Sequence, residues 1–385
     1  MYNVLTLNKI SQTGLRNFDA SKYTCSDSFT DPDAVIVRSA SMLDMELPES
    51  ILAIARAGAG YNNIPVDKCT EKGICVFNTP GANANAVKEL TLCGLLLCSR
   101  RIASAIEWCK GLKGEDEISK KIEKGKSNFA GPEILGKTLG VIGLGAIGVK
   151  VSNAAVGLGM NVIGYDPFLS DKAAETLDKS ITITSKPEQI FECADYITVH
   201  APLTDDTKGI VGKDTLAVAK DGVRVLNFAR GGLVDNDAII EAVKSGKCTA
   251  YATDFPTEEM LDIDGIIALP HLGASTPESE ENCAVMAVNQ ISEYIEKGNV
   301  INSVNLPCIS KENADGKKRL TAITNGDVSE EIFDAITKTG VSAEDSAASI
   351  RKDTGYVIVD DEGITEDTAA AVKNISGVVA VRVIG

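Results

Sequence analysis

One segment near the middle of the chain restricts the possible fold more than any other. Residues 136–167 read GKTLGVIGLGAIGVKVSNAAVGLGMNVIGYDP. An apolar run, three glycines spaced as GxGxxG, a helix-length stretch and a second apolar run follow one another. This is the order of a strand, a tight turn, a helix and a parallel strand. The segment therefore predicts a βαβ unit with a glycine-rich turn after its first strand.

The three glycines, Gly143, Gly145 and Gly148, predict a dinucleotide site at this turn. In such turns the first glycine permits the tight bend, the second lets the backbone approach a pyrophosphate, and the third lets the helix pack on the strand. The helix N-terminus supplies N–H groups to the phosphates. The other predicted cofactor residues of the turn are Ala146 and Ile147.

Asp166, at the end of the second strand, indicates which dinucleotide binds. We expect its carboxylate to accept hydrogen bonds from the adenosine ribose diol, as the acidic residue does in such sites. A 2′-phosphate in the same place would be repelled. The sequence therefore predicts NAD rather than NADP.

Short runs rich in valine and isoleucine alternate with helix-length segments along most of the chain. Runs that are apolar on both faces are typical of strands buried between helices in a parallel sheet. Strand–helix alternation indicates the doubly wound α/β class. The predicted strands lie at 34–39, 74–78, 139–145, 161–166, 195–202, 223–230 and 266–271.

Two polar stretches interrupt this alternation. Residues 108–128 are charged and contain glycines, and we predict an exposed arm or loop there. Residues 306–319 are polar with proline and glycine, and we predict a linker. The chain after the linker follows the order β-α-β-β-α-β over about 70 residues, which is a ferredoxin-like order and suggests a separate small domain.

Composition excludes several classes of protein. The net charge of −16 disfavours binding to nucleic acid and anionic membranes. The longest apolar run, residues 90–98, is about half of the roughly 20 residues that span a bilayer. The N-terminus does not read as a signal peptide. Ten cysteines without CxxC or Cys/His spacing indicate no metal site and a reducing, cytoplasmic environment.

Candidate catalytic groups follow predicted strands, where parallel sheets bind their ligands. His200 and His271 each end an apolar run, and position alone does not separate them. Arg230 ends another apolar run, and its guanidinium could donate two hydrogen bonds to a carboxylate. An acidic cluster, residues 254–259, lies between Arg230 and His271. An arginine, a histidine and a glutamate together could bind a carboxylate, move a proton and orient the imidazole.

Several motifs carry a resemblance to a known family. They are, in chain order, IVRSA, RAGAGYNNIP, NTPGANANAVKEL, LGKTLGVIGLGAIG, ITVHAPLTDDTKGIV, NFARGGLVD and PHLGAST. Together they resemble the D-isomer-specific 2-hydroxyacid dehydrogenases, over residues of about 34 to 306. The C-terminal β-α-β-β-α-β segment resembles an ACT domain.

The resemblance implies a fold of three parts. A Rossmann NAD-binding lobe, residues 99–281, would be inserted in a flavodoxin-like substrate lobe formed by residues 1–98 and 282–306. An ACT-like domain, residues 316–385, would follow. We expect doubly wound parallel sheets in both lobes.

The resemblance also implies roles for the candidate residues. Arg230 would bind the substrate and His271 would be the general acid and base. Glu259 would be the partner of His271, with Glu258 as the alternative. Asp254 would lie near the nicotinamide carboxamide. The remaining cofactor-side residues would be His200, Pro202, Thr207, Ala229 and Gly273.

The substrate lobe contributes a second set of candidates. The backbone of Ala59 and Gly60 could hold the substrate carboxylate. Arg38 could bind a phosphate, and Lys88 could assist it. Asn83 precedes a helix and could cap it or touch the substrate.

The expected reaction is NAD-dependent oxidation of a small phosphorylated 2-hydroxy acid. The likeness implies 3-phosphoglycerate, oxidised to 3-phosphohydroxypyruvate in the first step of serine biosynthesis, by a homo-oligomer. One alternative is the same chemistry on an unphosphorylated acid such as hydroxypyruvate or glyoxylate. A second is an NAD-sensing protein without turnover. Whether the C-terminal segment binds serine or serves in packing or assembly stays open.

Overall fold

A computed structural model describes residues 1–312 and 316–385. Residues 313–315 of the predicted linker lie outside the described part. The chain is of the mixed α/β class and divides into two compact units. Unit 1 consists of Met1–Asn83 and Pro277–Gly385, and unit 2 of Ala84–Thr276.

The elements are numbered in chain order. The strands are β1 (Tyr2–Leu7), β2 (Tyr23–Ser26), β3 (Ala34–Val37), β4 (Ala53–Arg56), β5 (Cys75–Phe77), β6 (Thr138–Ile142), β7 (Asn161–Tyr165), β8 (Thr182–Thr184), β9 (Tyr196–Val199), β10 (Val223–Asn227), β11 (Cys248–Thr253), β12 (Ile266–Ala268), β13 (Lys318–Asn325), β14 (Ser346–Arg351), β15 (Thr354–Asp361) and β16 (Val378–Ile384). The α-helices are α1 (Gln12–Leu15), α2 (Val66–Glu71), α3 (Ala84–Ser99), α4 (Ile102–Gly111), α5 (Ile118–Gly125), α6 (Ala146–Gly157), α7 (Asp171–Thr176), α8 (Pro187–Cys193), α9 (Lys213–Val218), α10 (Asn236–Ser245), α11 (Pro277–Lys297), α12 (Ser329–Lys338) and α13 (Glu366–Lys373).

The first sheet of unit 1 is parallel and has the order β2-β1-β3-β4-β5. This is the flavodoxin-like strand order. All four residues of β3 and the first three of β4 are buried, as expected for strands covered on both faces. Helix α11 packs against β4, so the chain that returns after unit 2 completes the core of unit 1.

Unit 2 contains a parallel seven-stranded sheet of order β12-β11-β10-β9-β6-β7-β8. Counted from β6, this is the Rossmann order with one further strand at the edge. The strand order reverses between β6 and β9, and ligands of open α/β sheets bind at such a switch point. The parallel sheets predicted from the apolar runs are confirmed. Helix α3 packs on α6 and belongs to unit 2. The sequence instead predicted that residues 1–98, which include nearly all of α3, form the first part of the substrate lobe.

The predicted arm at residues 108–128 is exposed but is helical rather than a loop. It contains the last four residues of α4, all of α5 and the first three residues of a short 3₁₀ turn, Lys126–Phe129. No residue of α4 or α5 is buried. The rings of Trp108 and Phe129 lie 5.3 Å apart, which joins the two ends of the arm.

The C-terminal segment has the predicted element order β-α-β-β-α-β. Its antiparallel sheet has the order β14-β15-β13-β16. Helices α12 and α13 cover one face. On the other face Ile323, Tyr356 and Ile358 join the hydrophobic core that contains α11. The sheet is therefore built into unit 1.

Polar side chains of this sheet bind the C-terminal end of α11. Arg319 is fully buried, pairs with Asp360 and donates to the Lys297 carbonyl oxygen at 2.6 Å. Arg382 donates to two further carbonyl oxygens of α11, and the Tyr356 hydroxyl donates to that of Gly298 at 2.9 Å. The last carbonyls of a helix have no partner within the helix. The C-terminal sheet supplies these partners and thereby holds α11 in place.

Within the described ranges, the structure shows no helix with both the length and the apolar character needed to cross a membrane. The apolar run at 90–98 forms part of α3. All ten cysteines are unpaired.

Candidate active site

The glycine-rich turn lies between β6 and α6, at the switch point of unit 2. Gly143 has φ +92, and a Cβ there would lie 2.7 Å from the His200 carbonyl oxygen. A Cβ at Gly148 would lie 1.9 Å from the Gly143 carbonyl oxygen. Around Gly145, by contrast, a Cβ would meet nothing within 4 Å. Two glycines thus serve packing, and the third leaves the turn open to a ligand.

Helix α6 begins at Ala146, directly after this turn, so Ala146 and Ile147 lie in its first turn. Asp166 follows β7 and is tied to the glycine turn. Its Oδ2 accepts a hydrogen bond from Leu144 N and its Oδ1 accepts one from Phe168 N, both at 2.8 Å. The carboxylate is therefore fixed at the end of the strand next to β6.

His200 lies across the switch point from Gly143. Its Nε2 is 3.0 Å from Thr198 Oγ1, and its Nδ1 is buried with no hydrogen-bond partner among the described residues. Burial lowers the pKa of His200 to about 3. The imidazole is therefore neutral near pH 7, which does not suit a proton donor. The following loop is held by Thr207, whose hydroxyl donates to the Pro202 carbonyl oxygen at 2.6 Å.

Arg230 follows β10 and is half-buried. Its Nη1 donates to the carbonyl oxygen of Ala229 at 2.6 Å, and its own carbonyl oxygen accepts from Asn227 Nδ2 at 2.8 Å. Gly231 follows it, and a Cβ on this glycine would be in ordinary van der Waals contact with the Phe255 Cβ, at 3.4 Å. These contacts place the guanidinium at the carboxyl end of the sheet.

His271 follows β12 and lies beside groups that follow β11. Its exposed ring has its centroid 4.7 Å from that of Phe255. Asp254 accepts a hydrogen bond from Gly273 N at 3.0 Å, and its Oδ1 is buried without a hydrogen-bond partner in the described chain. Burial raises the pKa of Asp254, and the Gly273 N–H and the charge of His271 offset part of that rise.

The sequence assigned a glutamate to His271, with Glu259 preferred over Glu258. Both lie exposed on a short 3₁₀ turn, Glu258–Met260, and in the described residues neither is hydrogen-bonded to His271. The backbone N–H of Glu259 lowers the pKa of its own carboxyl group. Asp254, by contrast, lies close enough to His271 for the charge of His271 to lower the pKa of the Asp254 carboxyl group.

The substrate candidates of unit 1 lie at the carboxyl ends of its parallel strands. Arg38 follows β3, and its Nη1 forms an ion pair with Glu280 Oε1 at 2.6 Å. The Ala59 carbonyl oxygen accepts from Asn78 Nδ2 at 2.7 Å, which fixes the turn before Gly60.

Asn83 and Lys88 fall on different sides of the division between the units. Asn83, the last residue of the first stretch of unit 1, has a buried Oδ1 without a hydrogen-bond partner among the described residues. Lys88, in α3, belongs to unit 2 and donates to Asn85 Oδ1 at 2.7 Å.

Arg56 is a candidate that the sequence reasoning missed. It ends β4, the strand beside β3, and its Nε donates to the Arg38 carbonyl oxygen at 3.0 Å. Its guanidinium lies against Gly58, where a Cβ would be 1.6 Å from Nη1. Arg56 ends a strand just as Arg38 follows one, and this position in the sequence could have identified it as a candidate for substrate binding.

In the described part of the chain, no group of three or more histidine, cysteine, aspartate or glutamate side chains is placed to hold a metal ion. The site residues fit a dinucleotide instead. The open space at Gly145 and the unpartnered Asp254 Oδ1 are the two observations that support this fit.

Replacing Gly148 with alanine should weaken dinucleotide binding and the fold together. The new Cβ would lie 1.9 Å from the Gly143 carbonyl oxygen, so the turn must shift. We expect at least about tenfold weaker NADH binding, or ~1.4 kcal/mol, and a loss of stability of about 1–3 kcal/mol. Fluorescence titration with NADH and thermal unfolding measure the two effects.

The matched control is Gly157→Ala in the same helix, where a Cβ meets nothing within 4 Å. It should leave both quantities close to wild type. Unchanged NADH affinity in Gly148→Ala would contradict the assignment of the turn.

Comparison with known proteins identifies the family of this chain. Residues 94–275 match the family described as D-isomer specific 2-hydroxyacid dehydrogenase, NAD binding domain. The chain is 40% identical over 273 residues to hydroxypyruvate reductase of Thermotoga maritima, which covers 67% of this chain and 83% of that protein. It is 38% identical over 295 residues to D-3-phosphoglycerate dehydrogenase of Methanocaldococcus jannaschii, which covers 74% of this chain.

The chain spans only about half the length of the D-3-phosphoglycerate dehydrogenase relative. The alignment spans 54% of the M. jannaschii protein, so the chain matches about half of that relative. Among solved structures, the NAD⁺-bound 3-phosphoglycerate dehydrogenase of Entamoeba histolytica is similar with a TM-score of 0.61 and 26% identity, covering 79% of this chain and 98% of that one. The chain belongs to the D-isomer-specific 2-hydroxyacid dehydrogenase family, and residues 94–275 are its NAD-binding domain.

Proposed function

We propose that this protein is an NAD-dependent D-3-phosphoglycerate dehydrogenase, which oxidises 3-phosphoglycerate to 3-phosphohydroxypyruvate. The observation that carries the proposal is the set of groups at the carboxyl end of the unit 2 sheet. The open glycine turn, Arg230 and His271 follow strands of one parallel sheet. The names of several relatives support the substrate, since proteins 35% and 38% identical are D-3-phosphoglycerate dehydrogenases.

The residues of unit 2 take the following roles. NAD, when bound, supplies the acceptor for the hydride from C2. The turn of Gly143, Gly145 and Gly148 holds its pyrophosphate, and Asp166 holds the ribose diol. The Asp254 carboxylate would accept a hydrogen bond from the nicotinamide carboxamide. The cofactor side is completed by His200, Pro202, Thr207, Ala229 and Gly273.

The substrate hydroxyl proton passes to neutral His271 during oxidation. Arg230 binds the carboxylate and polarises the forming carbonyl. Glu259 acts as a positioning residue that stabilises the imidazolium. In the reverse direction His271 returns the proton.

Unit 1 recognises the rest of the substrate. Backbone N–H groups at Ala59 and Gly60 hold the carboxylate, and Asn83 is proposed as a further substrate contact. Arg38 and Arg56, at the ends of neighbouring strands, bind the phosphate. Lys88 is proposed as a further positively charged group for the substrate.

The test is a direct assay in both directions. NADH oxidation with 3-phosphohydroxypyruvate and NAD reduction with D-3-phosphoglycerate should both proceed. NADPH should be at least about tenfold poorer in kcat/KM, because Asp166 repels its 2′-phosphate. Absence of turnover with either phosphorylated acid would overturn the proposal, and equal use of NADPH would overturn the role of Asp166.

A second function has a specific observation in its favour. Arg38 already forms an ion pair with the carboxylate of Glu280. In addition, the relative of which the chain spans 83% is a hydroxypyruvate reductase. The alternative is therefore reduction of an unphosphorylated 2-oxo acid by the same residues. It predicts rates on hydroxypyruvate that equal or exceed those on the phosphorylated acid.

The proposal extends to assembly and pathway. The exposed arm of α4 and α5 presents Ile106, Ile118 and Ile122, and we assign this face to contact with a second copy in a homo-oligomer. The C-terminal segment is proposed as an ACT-like domain. Oxidation of 3-phosphoglycerate would place the protein at the first step of serine biosynthesis.

A further inference from the structure

The phosphate-binding arginine of the proposed function is already paired. Arg38 Nη1 lies 2.6 Å from Glu280 Oε1, and the two side chains are 34% and 38% exposed. Arg38 follows β3, and Glu280 lies in the first turn of α11. Both residues belong to unit 1.

A second arginine lies beside this pair. Arg56, on the neighbouring strand, donates to the Arg38 carbonyl oxygen. Cys283 lies one turn beyond Glu280 on α11. Burial raises the pKa of Cys283, and the charges of Arg56 and Arg38 offset part of the rise. The first turns of α11 therefore lie beside both arginines, and Glu280 places a negative charge where an incoming phosphate needs positive charge.

We propose that Glu280 is a specificity-determining residue, whose carboxylate on Arg38 sets how strongly the site prefers phosphorylated over unphosphorylated substrates. The inference rests on the proposed function, because it takes Arg38 as the phosphate contact. A phosphate dianion on Arg38 must share the guanidinium with Glu280 or displace it, and like charges repel at such distances. A substrate without a phosphate leaves the ion pair intact. Glu280 therefore opposes the binding of one substrate class and not the other.

Kinetics of Glu280→Gln test this directly, since glutamine keeps the shape and removes the charge. The KM for 3-phosphohydroxypyruvate should fall by about fivefold or more on Coulombic grounds. The KM for hydroxypyruvate should stay within about twofold, and kcat on both should change little, because the contact lies away from the reacting carbon.

The matched control is Glu278→Gln, which removes the same charge from the same helix turn. Glu278 is exposed and forms no ion pair within the described chain. Both KM values should stay within about twofold of wild type. An equal fall of KM in this control would show a general field effect and would overturn the proposal.

A binding measurement separates this inference from the proposed function. Calorimetric titration of the NADH-saturated protein with inorganic phosphate should show tighter binding in Glu280→Gln by a factor similar to the KM change, and none in Glu278→Gln. Unchanged or weaker phosphate binding in Glu280→Gln overturns the inference. If the wild type reduces hydroxypyruvate but not 3-phosphohydroxypyruvate, the proposed function fails, while the phosphate titration still tests Glu280.

Discussion

Replacement of His271 by asparagine should lower kcat for 2-oxo acid reduction by about 10²–10⁴-fold, the usual contribution of a positioned general acid. His271 is the exposed histidine at the carboxyl end of the unit 2 sheet, whereas His200 is held neutral by burial. NADH affinity, measured by fluorescence titration, should stay within a few-fold of wild type. A His271→Asn enzyme with near-normal kcat would refute the assignment of the acid.

The two neighbouring glutamates provide a matched pair for the partner of His271. Glu259→Gln should lower kcat on the order of tenfold or more, because the partner orients and stabilises the imidazolium. Glu258→Gln, one residue away on the same exposed turn, should change kcat little. The reverse result would assign the role to Glu258, and no effect in either variant would contradict a partner role for both glutamates.

Replacement of Arg319 by methionine should destabilise the protein by about 3–5 kcal/mol, the usual result of breaking a buried ion pair. Arg319 and Asp360 are 0% and 1% exposed, and Arg319 also donates to three backbone carbonyl oxygens. The change removes the donor of those oxygens and leaves the buried Asp360 carboxylate with Lys311 as its remaining ion-pair partner in the described chain. Chemical denaturation monitored by circular dichroism measures the loss.

Arg351→Met, on the edge strand β14 of the same sheet, is the control. In the described chain the exposed side chain of Arg351 makes one hydrogen bond, to the Ser303 carbonyl oxygen, so we expect a loss of about 1 kcal/mol or less. A similar small loss for Arg319→Met would contradict the view that the C-terminal sheet is anchored to α11 through this residue.

The effect of Arg319→Met should depend on pH. Burial raises the pKa of Asp360, but hydrogen bonds from Arg319 and Lys311 outweigh it and hold the pKa below its ordinary value. A group with a lowered folded-state pKa stabilises the protein above its unfolded pKa, about 3.9 for aspartate. That contribution is lost as pH falls through the folded value. The stability difference between wild type and Arg319→Met should therefore shrink below about pH 4.

The sheets and the glycine turn could be predicted because their signals are local. Runs that are apolar on both faces, as in β3 and β9, indicate buried parallel strands wherever they occur. The glycine spacing requires a backbone geometry, and the structure has close contacts at two of the three positions. Both signals lie within a few residues of the feature that they predict.

The features that were missed depend on neighbours or on weaker signals. The arm was expected to be a loop because of its charges and glycines, but lysine, glutamate and the Ile118–Ile122 pair at i and i+4 favour helix. The pairing of Arg38 with Glu280 joins distant parts of the chain, and no local pattern encodes it. The sheet that holds α11 through Arg319 could not be located for the same reason.

The most direct test of the account compares two acids that differ only in a phosphate. We would measure kcat/KM of the wild-type protein with NADH for 3-phosphohydroxypyruvate and for hydroxypyruvate, side by side. Phosphate recognition by Arg38 and Arg56 predicts a ratio of at least about tenfold in favour of the phosphorylated acid, or ~1.4 kcal/mol. A ratio of one or below would contradict the proposed substrate and identify the protein as a reductase of unphosphorylated 2-oxo acids.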